Sequence, residues 1–112
     1  MEIRGTEQDG ISILALAGRM DATTTAEFEN AGQALLAQQK KLIVVDMAEL
    51  EYISSAGLRG ILGLVKSVKA ASGKLAFCAL QPMVAEVFRI SGFSAMLTVC
   101  ATREEALSSL AG

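Results

Sequence analysis

Leu42-Ile43-Val44-Val45-Asp46 is a run of four apolar residues without alternation, closed by a carboxylate. A half-buried strand alternates apolar with polar side chains. An unbroken run instead reads as a strand covered on both faces, the usual state of a parallel strand. Parallel strands need crossover connections, and helical patterns stand on both sides of this run. Upstream, Phe28, Ala31, Leu35 and Leu36 recur at i, i+3, i+7 and i+8, one face of a helix ending near Gln38. Thr24-Thr25-Ala26-Glu27 just before them has capping-box spacing. Downstream, Leu58, Ile61, Leu62, Val65 and Val68 mark one face of a second helix, with Arg59 and Lys66 on its flank.

The pattern extends to both ends of the chain. Two strand-like runs, Glu2 to Gln8 and Ile11 to Gly18, meet at Asp9-Gly10, a dipeptide suited to a tight hairpin. Lys74 to Ala79 repeats the covered-strand character after Ser72-Gly73. Pro82 suits a first helical position, Val84, Val87 and Phe88 continue that helix, and Ser91-Gly92 can end it. Met96 to Val99 reads as a last short strand. Thr102-Arg103-Glu104-Glu105 is a second capping box, opening a helix through Ala106, Leu107 and Leu110. No repeat or linker interrupts the chain. The expectation is one α/β domain over residues 1–112, with a mixed sheet, an opening hairpin and about four helices.

Composition excludes several kinds of function. Ten basic and twelve acidic residues give a net charge of -2, with no basic stripe of the sort that nucleic-acid binding needs. Histidine is absent, which removes His-dependent triads, imidazole metal sites and the usual general base near neutral pH. Four Phe and one Tyr are too few for base-stacking platforms. Cys78 and Cys100 lack the close pairing of a redox motif and the number a structural zinc needs, so they read as small core residues in a reducing compartment. The longest uncharged stretch, Ile90 to Thr102, is too short to span a bilayer, and Met1-Glu2-Ile3-Arg4 does not open a signal peptide. A cytoplasmic protein without direct membrane insertion is expected, with no cofactor and no metal.

The chemistry concentrates in Tyr52-Ile53-Ser54-Ser55-Ala56-Gly57-Leu58-Arg59-Gly60-Ile61-Leu62-Gly63. This segment lies toward the carboxyl end of the covered strand, where open α/β sheets place their binding surfaces. One serine of the pair should cap the helix. Gly57, Gly60 and Gly63 recur every third residue, and each interior Gly costs a helix about 0.8–1 kcal/mol relative to Ala. Either the helix packs closely on its own sheet through Gly57 and Gly63, or another chain approaches closely. On a helical wheel Gly60, Leu64 and Ser67 lie opposite or beside the core stripe, so Leu64→Glu is expected to damage docking more than stability. A phosphate at the serine pair would meet free N–H donors and the positive end of the helix dipole, leaving the helix folded. It would also add about 1.5–2 negative charges beside the docking patch. Asp21 is a loop carboxylate near the first helix, Asp46 could brace the following loop, and Arg59 is exposed, to solvent or to an acidic partner. No nucleophile elbow, dinucleotide fingerprint or P-loop is present, so the chain does not read as an enzyme.

Leu16-Ala17-Gly18-Arg19-Met20-Asp21, Leu42 to Asp46, Tyr52 to Leu58, Gly73-Lys74-Leu75 and Val87 to Phe93 together resemble the STAS domain signature, in order and over nearly the whole chain. A chain of this size resembles a bacterial anti-sigma factor antagonist. That resemblance implies a serine at the start of the second helix that is phosphorylated by a partner acting as both anti-sigma factor and serine kinase. It also implies a serine/threonine phosphatase that reverses the mark, and binding of the kinase by the unmodified form only. Matched to the family motif, Ser54 stands where an Asp is usual and Ser55 takes the phosphoacceptor place, with Ser54 as the alternative. Asp21, Ser54, Ser55, Gly57, Arg59, Gly60, Gly63 and Leu64 would form the partner-binding face. A competing resemblance is to STAS regulatory subunits of lipid-transport ABC complexes, which use the same helix face without phosphorylation.

Overall fold

The computed structural model describes residues 1–111. Strand β1 (Glu2–Gln8) folds back on β2 (Ile11–Met20) in the expected hairpin. Asp9 (φ 53°) and Gly10 (φ 79°) both take left-handed backbone at the turn, the twist that suits a two-residue connection. The chain continues through α1 (Thr25–Ala37), β3 (Leu42–Ile53), α2 (Ser55–Ala70), β4 (Lys74–Cys78), α3 (Pro82–Ile90), α4 (Phe93–Met96), β5 (Thr98–Cys100) and α5 (Arg103–Ala111). The five strands lie in the order β1-β2-β3-β4-β5, and every pair after the hairpin is parallel.

The opening run of β3 is covered on both faces, as its apolar character requires. Ile43 and Val45 point into the larger core with Phe28 of α1, Ile61 and Val65 of α2, and Val84 and Phe88 of α3. Val44 points the other way, into a smaller core with Ile11, Ile13, Ala76 and Cys78 beneath Ala106 and Leu110 of α5. Across that second face, Asp46 accepts a hydrogen bond from Arg103 Nε at 2.8 Å and another from the Ala48 amide at 3.0 Å. The carboxylate therefore braces its own strand, not a following loop, and ties β3 to α5 as well.

Four local expectations need correction. Asp46 does not end its strand, because β3 runs on to Ile53. Its register against β2 slips between Ala15 and Ala17 and again between Gly18 and Arg19. Each slip changes which side chain faces inward, so the buried residues Met47, Leu50 and Ile53 recur every third position and hide the strand period. The last strand begins at Thr98, not Met96, because Phe93–Met96 closes one helical turn. Buried Phe93 packs edge-on against Phe88, with centroids 5.6 Å apart, and draws that segment inward. The first capping box does not form. Thr24 Oγ1 instead donates to the Arg19 carbonyl at 2.8 Å and accepts from the Asp21 amide at 2.9 Å. Finally, Cys100 is only half-buried, whereas Cys78 is fully buried.

Candidate functional site

The ends of β2 and β3 meet at the serine pair. The Ser54 amide donates to the Met20 carbonyl at 2.9 Å, which sets the turn carrying Asp21 beside the start of α2. Ser54 is extended (φ -94°, ψ 175°), and its hydroxyl accepts from the Gly57 amide at 3.2 Å. That makes Ser54 the N-cap, satisfying one of the amides that a helix start leaves unpaired. Ser55 is then the first helical residue, and it is exposed. The two hydroxyls thus do different work: one is committed to the backbone and the other faces solvent. The first-turn amides and the positive end of the α2 dipole lie beside both.

Asp21 is held firmly. Its carboxylate accepts from the Thr23 hydroxyl at 2.7 Å and the Thr23 amide at 3.0 Å, with Thr24 Oγ1 at 3.4 Å. These bonds, led by the Thr23 hydroxyl, hold its pKa below the ordinary 3.8. A carboxyl whose folded pKa is depressed stabilises the fold above its unfolded value, and that contribution fades as pH falls through the lower folded value. Two residues missed from sequence flank the site. Arg19 stacks its guanidinium over the Tyr52 ring, 4.1 Å from the centroid, on the two strands that lead to the serines.

The helix face separates the other candidates. Arg59 and Gly63 are exposed, and a Cβ added at Gly63 would touch nothing within 4 Å. Gly57, Gly60 and Leu64 are buried, which corrects the reading of Gly60 and Leu64 as outward. A Cβ at Gly57 would come within 2.7 Å of Ile53 Cγ1 and 2.9 Å of the Met20 carbonyl, so Gly57 allows α2 to start close against the strand ends. A Cβ at Gly60 would meet Thr25 Cγ2 at 2.3 Å, and Leu64 fills the notch left by Gly32 on α1. At Gly60 and Gly32 the close approach is between α2 and α1 of the same chain, whereas at Gly57 it is between α2 and the strand ends. The expected packing on the sheet therefore holds at Gly57 but not at Gly63, which with Glu29, Asn30, Gln33 and Ser67 borders a groove between α1 and α2. Gly32 inside an otherwise helical pattern was the available sign that two helices touch here.

The two exposed and buried glycines should respond oppositely. Gly60→Ala should lower stability by about 1–3 kcal/mol, because its methyl must push α1 away. Gly63→Ala should raise it by up to about 1 kcal/mol through helix propensity alone. Urea denaturation of both variants checks the pair.

A profile of the STAS domain matches residues 2–106. The chain belongs to the STAS domain family. Within that family it groups with the anti-sigma factor antagonists. BtrV of Bordetella bronchiseptica, named as an anti-sigma factor antagonist, is 36% identical over 106 residues, covering 95% of this chain and 91% of BtrV. Among solved structures, the Thermotoga maritima protein TM1081, described in the same terms, superposes with a TM-score of 0.92 at 18% identity, covering 98% of this chain and 95% of its own. The antagonist SpoIIAA has been solved unphosphorylated, with TM-score 0.84, 21% identity and coverage of 99% and 97%. Its phosphorylated form, from Bacillus, gives 0.75 at 20% identity, with coverage of 96% and 98%. At such identities these structures speak for the shared fold.

Proposed function

We propose that this chain is a phosphorylation-switched anti-sigma factor antagonist of the cytoplasm. Unmodified, it binds an anti-sigma factor that is also a serine kinase, and so frees that factor's target. Phosphorylation of Ser55 abolishes binding, and a serine/threonine phosphatase restores it. The chain is then the substrate of the switch and carries no catalysis of its own. The observation that carries this reading is the division of labour between the two serines. Ser54 spends its hydroxyl on the Gly57 amide, while Ser55 stands exposed at the first helical position. A phosphate there meets backbone N–H donors and a favourable dipole, so modification leaves the fold intact. The docking surface is the exposed side of α2, with Arg59 and Gly63, together with the adjoining Asp21 turn. Gly57, Gly60 and Leu64 act beneath it by seating the helix.

Relatives named as anti-sigma factor antagonists weigh toward this reading and away from a transporter subunit. SpoIIAA, which exists in a phosphorylated form, supports the use of the same chemistry here. Incubation with the kinase partner and ATP, followed by mass-spectrometric mapping, tests it. Phosphate is expected on Ser55 and should vanish in Ser55→Ala. Undiminished incorporation in that variant would move the acceptor to Ser54.

A further inference from the structure

Cys78 and Cys100 are far apart in sequence, but the sheet makes them direct partners. In the parallel pairing of β4 with β5 they occupy the same register position, and the Ala79 amide donates to the Cys100 carbonyl at 3.2 Å. Side chains at one register position on neighbouring strands point to the same face. Both sulfurs accordingly belong to the smaller core beneath α5. Adjacent strands run about 4.7–4.9 Å apart, within the roughly 4.4–6.8 Å between Cα atoms that a disulfide spans. The Cβ atoms of such a pair must move somewhat closer than a regular ladder holds them. Here one side can give: β5 has three residues and lies at the edge of the sheet, bonded only to β4. Access is also unequal, with Cys78 fully buried and Cys100 half-exposed.

We propose that Cys78 and Cys100 form an oxidation site, at which a hydroperoxide converts the facing thiols into a disulfide joining β4 to β5. In the first step the Cys100 sulfur attacks the peroxide, the O–O bond breaks, and Cys100 sulfenic acid and water (or an alcohol) form. In the second, the Cys78 sulfur displaces the sulfenic hydroxyl, which leaves as a second water with the Cys78 proton. Two electrons pass from the two sulfurs to the peroxide, so the step balances. Cys100, the accessible thiol of the two, meets the oxidant first. Cys78, which is fully buried and whose thiol burial pushes up to about 12 with Asp46 adding to the rise, reacts second from its position beside it. The product closes the chain from Ala79 to Val99, which carries α3 and α4, into a covalent ring. In a reducing compartment such a bond is transient and reports oxidant exposure.

The test treats the purified full-length chain with hydrogen peroxide, quenches with an alkylating reagent, and measures intact and tryptic masses. The expected product is a monomer lighter by two hydrogens, with the peptides Leu75–Arg89 and Ile90–Arg103 linked and released by dithiothreitol. Cys78→Ala should stop at oxygen adducts on Cys100. Oxygen adducts without a cross-link in the natural chain, or dimers joined through Cys100 with Cys78 still reduced, would overturn the proposal.

Discussion

Leu64→Ala should lower the free energy of unfolding by about 2–5 kcal/mol, and Leu64→Glu should leave little folded protein at room temperature. The side chain is 1% exposed and sits over Gly32, whose missing Cβ makes room for it. Truncation leaves a cavity that neither α1 nor the sheet can close without moving the other. A carboxylate in the same place is worse. It loses its water, and the groove beside it is lined by Glu29, Asn30, Gln33 and Ser67, none of them a cation. The cost is several kcal/mol against a total stability of about 5–15. Far-UV circular dichroism through a urea titration decides the matter. A Leu64→Glu chain with an unchanged midpoint would mean that the residue swings outward after all, as the helical wheel suggested.

Ser55→Asp should behave in the opposite way, sparing the fold and removing the partner. A negative charge at a helix N-terminus is favourable by about 0.3–1 kcal/mol, so the unfolding midpoint should hold or rise slightly. At the docking surface the same charge must be desolvated against whatever the partner presents. Misplaced charge in an interface costs several kcal/mol. At about 1.4 kcal/mol per factor of ten, the affinity should drop by roughly a hundredfold or more. Ser55→Ala should keep full affinity. Calorimetric titration of both variants into the kinase partner measures the difference, and nanomolar binding by Ser55→Asp would end the charge mechanism. Reading both serine variants beside Leu64→Ala separates loss of contact from loss of structure.

The architecture was legible because its signals are local and redundant. Asp9-Gly10 marks the hairpin, Pro82 opens α3, and the unbroken Leu42–Val45 run demands cover on both faces. The far half of β3 was hidden by its two register slips, which replace a period of two with one near three. At the site, the start of α2 and the presence of a serine cap follow from the Ser-Ser pair itself, while which serine caps is decided by the backbone, extended at Ser54 and helical from Ser55. The error over Gly60 and Leu64 has a different origin. A wheel assigns one buried stripe to a helix, but α2 is buried twice, by the sheet along Ile61, Val65 and Val68 and by α1 along Gly60 and Leu64. Which helix neighbours which is a long-range fact, and periodicity within α2 does not encode it. The Arg19–Tyr52 stack and the facing cysteines were missed for the same reason, since each pair is made by strand register.

The Ser54 amide is pinned to Met20, and its hydroxyl to Gly57, so the residue that follows is presented on a rigid corner. Under the proposed function, a kinase acting on that corner would have to grip a shape, because the local letters alone do not hold the hydroxyl at that angle. A short peptide copied from this stretch would lose both pins and make a poor substrate. Specificity in such a switch would therefore belong to the intact tertiary surface, and partial unfolding would silence the signal before any chemistry failed.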